Sequence, residues 1–132
     1  MQSRFGERGD KLEKQALYDK ILGSLAASCI GDALGCPTEQ MTMEEIKQTF
    51  GGFVTDFHAP AVDHPFAGGR SAGQITDDAS LVLKMAEAII ASRGRLEVHH
   101  VVEQLLKWAE TEEFRFAGPT TRAAIERLRM GE

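Results

Sequence analysis

Hydrophobic residues recur along most of the chain at spacings of three and four, the pattern of one face of an α-helix. The first run, with Leu17, Ile21 and Leu25, predicts a helix over residues 17–33. Later runs predict helices over residues 43–50, from Thr76 to before Gly94, over residues 98–109, and from residue 120 to 131. No segment alternates apolar and polar residues over the length of a strand. The sequence therefore predicts an all-α fold.

Residues with special backbone or capping properties mark where these helices begin and end. Thr42 followed by Glu45 is a capping box, and Gly51 with Gly52 ends the helix that it starts. Gly118 and Pro119 interrupt the chain before the last helix in the same way. Trp108 lies beside the apolar stripe of the fourth helix, which predicts a packing role for it.

Residues 51–75 have no helical periodicity, and a connection this long is usually functional or disordered. It contains His58 and His64, which are metal ligands or acid/base groups on one interpretation and ordinary loop histidines on the other. Their spacing is not that of a metal-binding histidine pair. The pattern therefore favours loop histidines.

The first helix carries two features that a simple packing helix lacks. Asp32 continues its apolar stripe, and a carboxylate there needs a partner or a metal unless it turns to solvent at the helix end. Gly23, Gly31 and Gly35 are poor helix formers, which predicts close approach of a neighbouring element or ligand.

Thr76, Asp77 and Asp78 stand together at the end of the long loop. Two carboxylates and a hydroxyl are the oxygen ligands that hard divalent cations prefer. A threonine N-cap followed by two aspartates in the first helical turn explains the same residues without a metal. Asp78 continues the apolar face of its helix while Asp77 points away, so the two carboxylates would suit two adjacent ions better than one.

Composition excludes several classes of protein. The chain has 132 residues, 42% hydrophobic and 27% charged, with a formal net charge of -5, as expected for one globular domain. Clustered cations are missing, so nucleic acid is not an expected partner. Neither a secretory signal nor a run long enough to cross a bilayer is expected. The cysteines, Cys29 and Cys36, lack zinc-site spacing and predict reduced thiols in a cytoplasmic protein.

Two motifs taken together resemble the ADP-ribosylglycohydrolase family: Gly-Asp-Ala-Leu-Gly-Cys-Pro-Thr-Glu over residues 31–39, and Gly-Gln-Ile-Thr-Asp-Asp over residues 73–78. The Gly-Pro-Thr-Thr-Arg sequence of residues 118–122 is similar to bacterial members. The resemblance runs from about Tyr18 to the last residue. It divides the chain into a polar, loose lead-in, residues 1–16, and the N-terminal portion of an ADP-ribosylglycohydrolase-like domain, residues 17–132.

The resemblance implies an orthogonal helical bundle with a centre of two Mg²⁺ or Mn²⁺ ions. It implies hydrolysis of the glycosidic bond between ADP-ribose and a modified protein side chain or small molecule. Thr76, Asp77 and Asp78 match the family's first group of metal ligands. Asp32 matches a motif aspartate near the site, and Glu39 matches a glutamate over the metals that is implicated in catalysis or in gating the substrate, so both are expected catalytic residues. A non-catalytic binding or crystallin-like structural relative is the alternative. In a simple helical interaction module, the triplet would only cap a helix.

The resemblance also implies that this sequence is truncated. The family's second metal-ligand motif, Asp-x-Asp-Thr, belongs to a C-terminal half that has no counterpart here. Apolar helix faces normally covered by that half are then expected to be exposed, and large exposed patches drive association. We expect self-association or a complementary chain, whereas a strictly monomeric protein that binds no hydrophobic dye would contradict this expectation.

Overall fold

The computed structural model describes the backbone of residues 3–132 and the side chains of residues 12–132. It contains five α-helices: α1 (Ser3–Gly35), α2 (Met43–Phe50), α3 (Asp77–Ala91), α4 (Val98–Trp108) and α5 (Pro119–Met130). Short 3₁₀ helices, Cys36–Thr38 and Glu112–Phe116, follow α1 and precede α5. No β-strand occurs within residues 3–132, so the all-α prediction is confirmed.

The predicted capping residues form the helix ends. The Thr42 hydroxyl accepts a hydrogen bond from the Glu45 amide at 3.3 Å, and the Glu45 carboxylate accepts one from the Thr42 amide at 2.7 Å. Gly51 closes α2 with a φ of 77°, in the left-handed region that favours glycine. Thr76 is the N-cap of α3, Gly118 is that of α5, and Gly131 ends α5 with a φ of 81°.

Helix α1 begins much earlier than predicted. Residues 3–16, expected to be a loose lead-in, are helical. The lead-in is polar, but its many Glu, Lys, Gln, Leu and Ala residues are good helix formers, and polarity does not prevent a helix that is exposed to solvent. Met1 and Gln2, the rest of the lead-in, lie outside the described residues.

A large part of α1 has no cover within the described residues. Its predicted apolar stripe is largely in solvent, with Leu17 59% and Ile21 53% exposed. A side chain added at Gly23, Gly31 or Gly35 would meet no atom of another element within 4 Å, so no described element approaches these glycines closely, and approach of a ligand stays a prediction. The predicted exposure of apolar helix faces is confirmed.

One stretch of α1, with the turn that follows it, is long and apolar enough to cross a membrane by length and composition alone, Leu12–Thr38. The expectation that no run reaches this length is wrong. Only 17% of its most apolar window is buried. Core helices of soluble proteins and N-terminal signal sequences pass the same criterion, so it is weak support for a membrane span.

The core lies where α3, α4 and α5 meet. Helix α3 packs mainly against α4, and α4 also contacts α5. Trp108 at the end of α4 is buried, as predicted, and meets the Phe114 ring edge-on with centroids 5.3 Å apart. Ile125 of α5 is the large side chain with the least exposure, at 2%. The other buried apolar positions among the described residues are alanines, one cysteine and two prolines: Ala33, Cys36, Pro37, Pro60, Ala67, Ala79, Ala88, Ala109 and Ala117.

His64 stabilises the long loop through hydrogen bonds at both nitrogen atoms of its ring. The His64 Nδ1 atom accepts hydrogen bonds from the amides of Phe66 at 3.2 Å and Ala67 at 3.0 Å. The proton therefore lies on Nε2, which donates to the Glu39 carbonyl oxygen at 3.1 Å. His58, by contrast, packs on Phe50 with ring centroids 5.1 Å apart. In this structure both histidines have structural contacts, as the loop interpretation favours.

Gly68 lies where the loop folds back on itself. A Cβ atom at this position would be 2.5 Å from the Val62 carbonyl oxygen and 2.9 Å from the His64 carbonyl oxygen. Both are backbone atoms that cannot rotate away. We expect Gly68→Ala to lower the free energy of unfolding by about 1–3 kcal/mol, as overpacking does. Chemical denaturation followed by circular dichroism measures this.

Gly23→Ala is the matched control. Position 23 is open, so its extra methyl group should leave stability unchanged or raise it by about 0.5–1 kcal/mol through better helix propensity. Equal stability of Gly68→Ala and the unmodified protein would show that the loop has room to move at this position.

Candidate active site

Asp32 and Thr76, 44 positions apart in sequence, are joined by two hydrogen bonds. The Thr76 amide donates to Asp32 Oδ2 at 2.5 Å, and the Thr76 hydroxyl donates to Asp32 Oδ1 at 2.6 Å. The same hydroxyl accepts from the Asp78 amide at 3.2 Å and so caps α3. Of the two sequence interpretations of Asp32, the structure supports the one with a partner. The carboxylate from α1 fixes the residue that starts α3.

Asp77 links α3 to α5. Its Oδ2 atom accepts hydrogen bonds from the Gly118 amide at 3.3 Å and the Thr121 hydroxyl at 3.2 Å. Gly118 is the N-cap of α5 but has no side chain with which to cap it. The Asp77 carboxylate therefore supplies both the hydrogen-bond acceptor and the negative charge favoured at a helix N-terminus.

Asp78 and Glu39 are exposed, and neither carboxylate accepts a hydrogen bond within the part of the chain that the structure describes. Both line a cleft of about 570 Å³, within the size range of small-molecule sites. Thr76, Asp77 and His64 line it too, whereas Asp32 does not. The structure thus brings Glu39 and the triplet to one cavity and places Asp32 behind Thr76.

Arg70 is the residue of this site to which the sequence pattern assigns no role. Its side chain is 5% exposed and donates from Nη1 to the Ile75 carbonyl oxygen at 2.7 Å. Its Nη2 donates to the Phe116 carbonyl oxygen at 3.5 Å. Arg70 thus ties the segment before Thr76 to the segment before Gly118. The sequence signal for Arg70 is its place among glycines shortly before the paired aspartates, where a single arginine indicates a role in the site.

The donor atoms of Thr76, Asp77 and Asp78 fit a hard divalent cation in chemistry, because all are oxygens. They are too few to enclose one. Among the described residues, no group of three or more His, Cys, Asp or Glu side chains is arranged to hold a metal ion. Asp77 also has one oxygen already engaged by α5. The remaining ligands would have to come from water, substrate or another polypeptide segment.

Burial raises the pKa of the Cys36 thiol, and the charges of Asp32 and Glu39 raise it further, while Arg70 acts in the opposite direction. In the unfolded chain the thiol ionises at its ordinary pKa of 9.0, but the folded protein keeps the proton to higher pH. Its contribution to stability is therefore fully present below pH 9 and decreases as pH rises through the folded-state pKa.

We expect urea unfolding between pH 8 and 10 to show this loss, by at most about 1.4 kcal/mol per pH unit, the limit for one proton. Cys36→Ala should remove that part of the alkaline slope, and Cys29→Ala, at a half-exposed position, should retain it. The same slope in all three proteins would mean that Cys36 does not contribute to it.

The fold and the cleft define an all-helical domain whose paired aspartates and threonine, supported by Asp32, form an oxygen-rich site. A profile of the ADP-ribosylglycohydrolase family matches residues 13–132, and the chain belongs to that family. The resemblance drawn from the two motifs is thereby confirmed.

Three relatives illustrate the match. The chain is 30% identical over 116 residues to the ADP-ribosyl-dinitrogen reductase glycohydrolase of Rhodospirillum rubrum. It is 27% identical over 117 residues to the Escherichia coli K12 protein YegU and 31% identical over 115 residues to a protein of Archaeoglobus fulgidus. These alignments cover 85–87% of this chain and 35% of each relative. The chain thus spans about a third of the length of these relatives.

Proposed function

We propose that this chain forms the N-terminal part of a hydrolase that cleaves the glycosidic bond between ADP-ribose and a modified protein side chain or small molecule. The observation that carries the proposal is the double hydrogen bond from Thr76 to Asp32. It fixes the start of α3 so that the adjacent Asp77 and Asp78 line one cleft with Glu39. Family membership supports the class of reaction.

Thr76, Asp77 and Asp78 would hold Mg²⁺ or Mn²⁺, with two ions expected from the family resemblance. When bound, the ions would supply Lewis acidity that orients ribose hydroxyls and activates water. Asp32 uses both carboxylate oxygens on Thr76, which supports a positioning role for it. The carboxylate of Glu39 is exposed and has no hydrogen-bond partner among the described residues, and it would exchange protons with the reacting groups of an oxocarbenium-like transition state.

A second polypeptide segment would complete this site. The chain corresponds to 35% of each of the three relatives, and α1 exposes Leu17, Ile21 and Ile30 to solvent. Burying such a face is favourable by roughly 25 cal/mol for each Å² of apolar surface. The segment could belong to a complementary chain, or a second copy of this chain could cover the same face.

Release of free ADP-ribose from ADP-ribosylated substrates tests the function. The purified chain would be assayed with Mg²⁺ or Mn²⁺, alone and with the C-terminal two thirds of a longer relative added. We expect metal-dependent release of ADP-ribose in at least one of these conditions, and its loss in Asp78→Ala. Asp78 is chosen because its carboxylate accepts no hydrogen bond from the described residues, so its removal should affect the site more than the fold. No release in either condition, or undiminished release by Asp78→Ala, would contradict the proposal.

The incomplete ligand set favours one alternative, a non-catalytic relative that binds a metal or ADP-ribose or is structural. In that case ligand binding without turnover would persist after the C-terminal segment is added. If the triplet only caps α3, Mg²⁺ should not stabilise the folded state of either the unmodified protein or Asp78→Ala.

A further inference from the structure

A second cavity lies at the opposite end of α3 from the candidate active site, where α3 ends and α4 begins. Its volume is about 480 Å³, and four basic side chains line it together with one serine and one glutamate: Ser92, Arg93, Arg95, Glu97, His99 and His100. None of these residues lines the cleft that contains Asp77 and Asp78. Helix α3 has 15 residues and so spans roughly 20 Å, at about 1.5 Å per residue. The proposed hydrolysis therefore gives this cavity no role.

The turn between α3 and α4 brings Arg93 and Arg95 to this cavity. The Ser92 hydroxyl donates a hydrogen bond to the Arg95 carbonyl oxygen. The Gly94 amide donates to the Ile89 carbonyl oxygen at 2.8 Å, which closes the turn. Both arginine side chains are exposed, and neither has a carboxylate partner among the described residues, whose ion pairs join other side chains. Two positive charges are therefore available to an anion.

Two histidines of α4 form another part of the lining. The rings of His99 and His100 lie with their centroids 4.0 Å apart. The His100 Nδ1 atom is buried and has no hydrogen-bond partner among the described residues. Buried polar atoms without a partner cost free energy, and most of them contact water or an ion. With its proton on Nδ1, His100 is a donor for which an anion in the cavity would supply the acceptor.

The start of α4 adds to this positive potential. The Glu97 side chain makes no hydrogen bond that caps the helix, and the first turn contains no acidic residue. The positive end of the helix dipole therefore favours an anion at this point. Glu97 is the acidic residue of the lining, and its carboxylate opposes anion binding. Its single negative charge is outweighed by the positive charges of Arg93 and Arg95.

We propose that this cavity binds a phosphate group, free or carried by a small molecule. A guanidinium group presents a planar fork of N–H donors that matches two phosphate oxygens. The volume of the cavity falls in the range of small-molecule sites. A metal ion is a poorer match, because no group of three or more His, Cys, Asp or Glu side chains among the described residues is arranged to hold one. The site is independent of the proposed function, since no residue of the cleft takes part in it.

Titration of the ¹⁵N-labelled chain with inorganic phosphate and with glycerol 3-phosphate, followed by NMR at constant ionic strength with a metal chelator, tests this site. We expect saturable shifts of the amide signals of residues 92–100. Arg93→Gln and Arg95→Gln should each weaken binding about tenfold, the effect of losing a charge-assisted hydrogen bond. Glu97→Gln should tighten binding, because it removes the opposing charge without removing a capping bond. Arg129→Gln, on the exposed surface of α5, should bind like the unmodified protein.

The two probes distinguish the sources of the phosphate group. Tighter binding of glycerol 3-phosphate would indicate a phosphate ester as the ligand, and equal affinities would indicate free phosphate; either result retains the site. Absence of saturable shifts at residues 92–100, identical shifts with chloride alone, or unchanged affinity in both arginine variants would overturn it.

Discussion

Asp32→Ala should lower the free energy of unfolding by about 3 kcal/mol, because it leaves two donors of Thr76 without their charged acceptor. The Thr76 amide and hydroxyl lose bonds of 2.5 Å and 2.6 Å at a position that is only half exposed. The change also disconnects α1 from the start of α3. Urea denaturation of the variant and of the unmodified protein measures the loss.

Two controls separate this bond from general effects on α1. Asp32→Asn keeps an acceptor for the Thr76 amide and can donate to its hydroxyl, so its cost should be about 1 kcal/mol. Asp19→Ala removes an exposed aspartate of the same helix that bonds only to Gln15 within the described residues, and its effect should be within about 0.5 kcal/mol. Asp32→Ala and Thr76→Val should be non-additive, whereas additive losses would argue against a direct interaction.

Arg70→Met should lower the free energy of unfolding by about 2–4 kcal/mol, because the long apolar side chain fills the space of Arg70 but leaves two partly buried acceptors unpaired. The carbonyl oxygens of Ile75 and Phe116 lose their donors, and Phe116 loses one of its stacked cations. The segments before Thr76 and before Gly118 are then no longer tied together. The metal site proposed for Thr76, Asp77 and Asp78 should then bind Mn²⁺ more weakly, measured by electron paramagnetic resonance of the free ion.

Arg70→Lys tests whether charge alone is sufficient. A lysine keeps the positive charge but lacks the planar fork that serves two carbonyl oxygens, so it should restore only part of the stability and of the Mn²⁺ affinity. Arg129→Met, on the exposed surface of α5, should leave both unchanged. If Arg70→Met has the same free energy of unfolding as the unmodified protein, water replaces the hydrogen bonds of the guanidinium group and the prediction is wrong.

The parts of the fold that follow local rules could be predicted from sequence. The capping box of Thr42 and Glu45 set the start of α2, and Thr76 set that of α3, because a cap depends on residues within one turn. Trp108 was predicted to pack because it is large and lies beside an apolar stripe. Asp32 was identifiable as unusual from its position on a stripe, although its partner was not.

The remaining contacts depend on residues that are distant in sequence. Asp77 as the cap of α5 joins positions 41 and 44 residues apart, and no local pattern encodes such a pair. The stacking of Arg70 on Phe116 could not be predicted either, because these two residues are also distant in sequence. The early start of α1 was missed because a polar stretch without a stripe gives no periodic signal, although its residues favour a helix.

The exposed part of α1 gives this domain two levels of stability. Every described side chain from residue 12 to residue 24 is exposed, whereas Ala33 is buried next to Asp32, which accepts the hydrogen bond from Thr76. A helical segment without tertiary contacts is marginally stable in water, so its amide hydrogens should exchange in a separate, less protected unit than those near Ala33. Any polypeptide that covers this segment would also have to order it. Part of the binding free energy is then used for folding α1, which makes the association easier to reverse.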